Sequence, residues 1–286
     1  MANAARPEPG AFSVERSVAL LSRPRDGAAR AQGLSALRTL RLAAPEVVRD
    51  VGDPGSLAYV RVVGGELRIG SLTRHADLVG SATGGQFAIL RDVGRVLGDR
   101  AARGSATIGG VLCEADPAGV MAVVLVALRA SMIIRSQHGA RTVPARDFRR
   151  GPHVTAVESG ELLTEIRIPT GPGGSAYEKT DPLPGGCPAT GAAASIRLDC
   201  DIVAAAGLGL IPAAAPRLGA AQAERFLVGS PAAQLTFQLA GQIAAGDCEC
   251  SADGRGMASD TKCMAARLTA RALRRALLRA RGTGTR

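Results

Sequence analysis

Thr107, Ile108, Gly109 and Gly110, followed by Asp116-Pro117 and an apolar run from Val120, form the stretch of this sequence best suited to chemistry. Adjacent glycines carry no Cβ and reach backbone angles closed to other residues. A turn there is expected to let consecutive N–H groups converge on a phosphate. Bare Gly-Gly also makes plain turns, so its surroundings must decide. His75 is one of three histidines, and a lone histidine in a helical first turn more commonly serves structure than catalysis. Of the six cysteines, Cys248, Cys250 and Cys263 could supply three thiolates, but no fourth clusters with them and no histidine is near in sequence. Neither an iron–sulfur cluster nor zinc is expected.

These residues need elements to hold them. The apolar pattern predicts a helix over Phe12 to Leu21, a strand around Val47, Val48 and Val51, and a hairpin from Leu57 to Ile69 about Gly64-Gly65. Thr73 is expected to cap a helix starting near His75, and a second helix spans Gln86 to Gly98. The glycine turn and an apolar helix follow. Ser131 to Val143 reads as a hairpin about His138-Gly139, and Glu161 to Pro169 as a short alternating strand stopped by proline. The Gly/Pro stretch Thr170 to Gly174 is the best domain boundary. Strands near Ala192 to Leu198 and Ile202 to Leu210 come next. A terminal helix then carries an apolar stripe, Ala266, Ala270, Leu273 and Leu277, with Arg267, Arg271 and Arg274 on another side.

At 286 residues the chain can bury a full core and hold two domains. Its net charge is +10, and residues 254–286 alone contribute +8. With seven aromatics and no helix-turn-helix or finger, that tail reads as a solvated helix face or subunit contact rather than a nucleic-acid site. No secretory signal or membrane span is apparent, so a cytoplasmic protein with free thiols is the expectation.

Taken in order, RLAAPEVVRDVG at 41–52, LRIGSLTRHADL at 67–78, TIGGVLCEADP at 107–117, RTVPARDF at 141–148, GELLTEIRIP at 160–169 and SAYEKT at 175–180 resemble the FAD-binding medium subunit of the molybdenum hydroxylases, the carbon monoxide dehydrogenase and xanthine dehydrogenase family. The resemblance implies an α+β fold. A two-lobed FAD-binding domain of the cresol methylhydroxylase type would occupy 1–170, with lobes of about 1–56 and 57–170. A smaller α+β domain of the carbon monoxide dehydrogenase flavoprotein type would occupy 175–286.

It also implies an oxidoreductase subunit. Its flavin would pass electrons from the iron–sulfur clusters of a [2Fe-2S] small subunit to an external acceptor, NAD, a quinone or oxygen, after substrate is hydroxylated at a molybdenum-cofactor large subunit. The residues implied for FAD are Arg30, Ala31, Gln32, Gly33 and Leu34 in a first loop, Thr107, Ile108, Gly109 and Gly110 in a second, and Asp116 after it. Leu163 would pack against the flavin ring and Lys179 would approach it, where an ammonium can favour the anionic reduced flavin. The chain departs from the family pattern at Arg30-Ala31, which replace paired glycines, and at Val111, Cys113-Glu114 and Val120, which replace Asn, Ala-His and Asp. A flavin-free structural subunit and a stand-alone flavoenzyme remain the alternatives.

Overall fold

The structure, a computed structural model, describes residues 57–81, 85–96, 106–151, 153–158, 160–180, 190–211, 218–247 and 257–283. The helix expected at 12–21, the strand around 47–51 and the loop Arg30 to Leu34 lie outside the described residues.

Gly64 and Gly65, both at positive φ, turn β1 (Val60–Val63) back onto β2 (Glu66–Gly70), as the Gly-Gly between alternating runs predicts. These two strands join β7 (Leu162–Pro169), β3 (Ser131–Ser136) and β4 (Gly139–Pro144) in an antiparallel sheet of five, in the order β1-β2-β7-β3-β4. β7 is its central strand. Its residues are buried continuously from Leu162 to Ile166, so the expected alternation is not seen. A strand paired on both edges and covered on both faces has no solvent side to show in its pattern.

Helices α1 (His75–Ser81), α2 (Ala88–Val96, entered through a 3-10 turn at Gly85–Phe87), α3 (Ile108–Glu114) and α4 (Val120–Ala127) fill the interval between β2 and β3. Thr73 does not cap α1 as expected; its hydroxyl exchanges hydrogen bonds with the backbone of Tyr59. After β4 come α5 (Ala145–Phe148) and a small ladder of β5 (Arg149–Gly151) with β6 (Val154–Thr155).

β8 (Gly174–Lys179), β9 (Gly191–Asp199) and β10 (Ile202–Ile211) form a second, three-stranded antiparallel sheet. It is followed by α6 (Ala221–Leu227), α7 (Gln234–Gly246) and the terminal α8 (Met257–Thr283). The stripe that α8 buries includes Ala265, Leu268, Ala272, Leu273, Ala276 and Leu277. Leu273 and Leu277 are where the spacing put them. Ala266 and Ala270 lie at the margin, half-buried, and Arg267, Arg271 and Arg274 are exposed.

α4 is apolar all round and therefore enclosed. One side completes the core beneath the five-stranded sheet with Ile69, Ile134 and Ile166. The other side meets β9 and β10. There Gly207 and Gly209 leave no room for a Cβ, which would strike the carbonyl oxygens of Ala127 and Val123. Strand backbone rests directly on helix backbone. A second core, with Ile196, Leu208, Phe237 and Leu273, lies between the smaller sheet and helices α6 to α8.

Candidate functional site

The segment 71–75 runs alongside 106–109 and ties off the start of α3. Gly109 N donates to Ser71 O at 2.7 Å, Ile108 N to Thr73 O at 2.9 Å, and His75 N to Ala106 O at 3.1 Å. Thr107 is the N-cap, its Oγ1 accepting from Gly110 N at 3.2 Å while its carbonyl accepts from Val111 N at 3.1 Å. The open glycine turn expected here is instead the start of a helix. Gly109 and Gly110 lie inside a helix at ordinary angles, and every N–H from 108 to 111 already has a partner in the chain. Glycine is needed at 109 for another reason: a Cβ there would sit 2.7 Å from Ser71 Cβ and 2.8 Å from Ser71 O.

Behind this turn the side chains are less well satisfied. Ser71 Oγ and both ring nitrogens of His75 are buried and find no hydrogen-bond partner. His75 is 2% exposed. Burial of the ring pushes its pKa down to about 4, so it is neutral at neutral pH.

At the far end of α3, Ala115 closes the helix in the left-handed region and Asp116 is exposed, its Oδ1 accepting from Ala118 N at 2.8 Å. The charge of Asp116 acts on Arg149, a buried guanidinium whose NH1 has no partner and whose pKa burial lowers. His153 fastens the same corner, its N donating to Ala115 O at 3.0 Å. Arg149 and Ser71 were not among the residues singled out from the sequence. In an arginine-rich chain one more arginine after a Phe carries no signal, and a serine beside a strand carries none.

Leu163, on β7, is fully buried in the first core. Lys179 is exposed at the end of β8, opposite Gly191 of β9. What holds β8 in place is charge. Asp92 of α2, 4% exposed, accepts from Tyr177 N at 3.1 Å, from Arg275 at 2.8 Å and from Arg279 at 2.7 and 2.9 Å. Burial opposes ionisation of Asp92, but these hydrogen bonds and the two guanidinium charges outweigh it and hold its pKa below the ordinary value. Glu178, next to Lys179, is paired with Arg271 and Arg275.

An extended dinucleotide needs hydrogen-bond donors for phosphate, a wall for its ring and a polar rim. The described residues fit in part: Thr107 offers a half-buried hydroxyl, Ser71 and His75 orphaned polar atoms, and Lys179 and Arg149 cations. Free N–H groups at 108–111 are not among these. Of the described cysteines, Cys113 is buried and Cys200 and Cys263 are exposed, all as free thiols, and no cluster of three metal-ligating side chains occurs among the described residues.

Residues 14–171 match the family model of the FAD binding domain in molybdopterin dehydrogenase, and residues 176–276 that of the CO dehydrogenase flavoprotein C-terminal domain. Over 289 residues the chain is 34% identical to the carbon monoxide dehydrogenase medium chain of Afipia carboxidovorans, covering 96% of this chain and 99% of that one. The corresponding medium chain of Hydrogenophaga pseudoflava is 29% identical over 93% of this chain and 95% of its own. Among solved structures, the carbon monoxide dehydrogenase from Hydrogenophaga pseudoflava that lacks the Mo-pyranopterin moiety superposes with a TM-score of 0.82 at 31% identity, over 94% of this chain and 96% of that one.

Proposed function

This chain belongs to the FAD-binding medium subunits of the molybdenum hydroxylase family, and we propose that within such an enzyme it relays electrons from a partner's iron–sulfur clusters to an external acceptor. It is an oxidoreductase subunit with a FAD-binding domain and a carbon monoxide dehydrogenase flavoprotein C-terminal domain. In this reading a molybdenum-cofactor large subunit oxidises the substrate and a [2Fe-2S] small subunit delivers the electrons. The chain divides near 170–174 into the part that holds the cofactor and the part that carries Lys179. Collinearity with a medium chain from end to end, rather than over one motif, carries the proposal.

FAD, when bound, supplies a centre that exchanges electrons singly or in pairs. The chain's own contribution is binding and electrostatics. Thr107 to Gly110, Asp116 and the loop Arg30 to Leu34 are assigned to the dinucleotide, with Leu163 backing the ring. At Gly109 the absent Cβ keeps the α3 turn tight against Ser71, and the Thr107 hydroxyl caps that turn by accepting from Gly110 N. Lys179 places a positive charge that favours an anionic reduced ring.

A second reading, a flavin-free structural subunit, draws on one observation: the N–H groups of 108–111 are consumed within the chain. An absorption spectrum of the purified chain after adding FAD and removing excess decides between them. Retained flavin bands that weaken in Gly109→Asp are expected of the relay. A folded, colourless chain that takes up no FAD, alone or with its partner subunits, would overturn it.

A further inference from the structure

Residues of α7 and α8 line a groove of about 580 Å³. Leu235 and Leu239, one helical turn apart on α7, line one side and are 66% and 41% exposed. Ala270 of α8 lies opposite. Arg267, Arg271 and Arg274, at i, i+4 and i+7, form the wall above it. Arg271 is paired with Glu178 at 2.9 Å, whereas Arg267 and Arg274 have no acidic partner among the described residues.

We propose that this groove docks an acidic amphipathic helix of a partner protein chain. The groove volume lies within the range of ligand clefts, but its lining holds no carboxylate, histidine or cysteine, and it instead repeats at helical spacing on both sides. Leucines one turn apart call for apolar side chains at the same interval. Two unpaired guanidinium groups beside them call for carboxylates along one flank, the pairing arginine makes in fixed bidentate geometry. A second copy of this chain is the wrong occupant. Two-fold pairing of this face would set its arginines against arginines or against leucines and never against a carboxylate, since no acidic residue lines the groove, in a chain of net charge +10. A bilayer is wrong in shape, since a membrane surface engages protruding apolar side chains and this surface is concave. The proposal is independent of flavin.

The test is fluorescence anisotropy of the full chain with a labelled helix-forming peptide of about 18 residues, bearing leucines at i and i+4 flanked by glutamates. Affinity is expected to fall at least about tenfold in Leu239→Gln, in the double variant Arg267→Gln/Arg274→Gln, and when the peptide's glutamates become glutamines. It should also weaken as salt rises. All of these positions on the protein are exposed, and circular dichroism verifies that the variants fold. Failure of the acidic peptide to bind the wild-type chain, or equal binding by the variants, overturns the proposal. So does a concentration-dependent dimer in light scattering that Leu239→Gln dissolves, which would make the occupant a second copy. Co-sedimentation with anionic lipid vesicles that the same variants abolish would make the occupant a membrane and overturns the proposal equally.

Discussion

Asp92 and His75 are both ionisable and both almost fully enclosed, yet their surroundings are opposite. Asp92, where the two parts of the molecule meet, accepts from a backbone N–H and from two arginines. His75, behind the turn assigned to the cofactor, has both ring nitrogens unpartnered, and Ser71 beside it has an unpartnered hydroxyl. Buried polar groups are ordinarily satisfied, so orphans call for an explanation and satisfied ones do not. Where the chain holds itself together, it completes its own hydrogen bonds. Where it is assigned to hold something else, it leaves some open.

That contrast can be broken most decisively at Asp92. Asp92→Ala leaves Arg275 and Arg279 facing the cavity of a lost carboxylate. Breaking a buried pair costs about 3–5 kcal/mol. The arginines are 36% and 25% exposed and can partly rehydrate, so a loss of about 3 kcal/mol in urea unfolding is expected. A loss below about 1 kcal/mol would mean the junction is held by packing alone.

Acid separates the two groups by pH window. His75 has a folded pKa of about 4 against 6.5 unfolded, so between these values the unfolded state binds the extra proton. Stability should be complete above pH 6.5 and decline as pH falls towards 4, by about 3 kcal/mol in all. The contribution of Asp92 has the other origin: its folded pKa is depressed, so its stabilisation is present above the ordinary carboxylate value of 3.8 and lost as pH falls through its lowered one. Thermal unfolding across pH should show the histidine window disappear in His75→Leu while the more acidic loss persists. A slope unchanged in His75→Leu would show that the ring is not neutral by burial.

The smallest effect sharpens the contrast instead. Ser71→Ala removes a hydroxyl that makes no hydrogen bond, and is expected to be neutral or to stabilise the flavin-free chain by up to about 1 kcal/mol in urea unfolding. A destabilisation above about 1 kcal/mol would show that the hydroxyl is satisfied in solution.

Much of the frame was legible in the chain. Gly64-Gly65 marks one hairpin turn, His138-Gly139 lies one residue past the Gln137-His138 turn of another, and the run from Val120 marks the enclosed helix, because local pattern and local structure nearly coincide at these places. The turn at Gly109 was misread since the pattern shows glycines but not the Ser71 backbone pressed against them. Central β7 lost its alternation to neighbours on both edges, which only the sheet order reveals. Asp92 was invisible for a related reason: its arginine partners lie 183 and 187 residues away, in a tail that reads as a solvated basic face. Half of that reading holds, for Arg267 and Arg274 face outward, while Arg275 and Arg279 turn in.

The two glycines of β10 that rest on α4 bear on how such a chain can be inherited. The family match changes from one domain to the next close to the Gly/Pro stretch at 170–174, where the peptide looks easiest to cut. Physically the helix before the cut and the strand after it share one surface, down to backbone atoms, so neither piece brings a finished exterior. Gene fission or domain shuffling at that point would release two wet, apolar faces. The halves are separable as text and inseparable as matter, and a lineage that trades either one must trade its matching face with it.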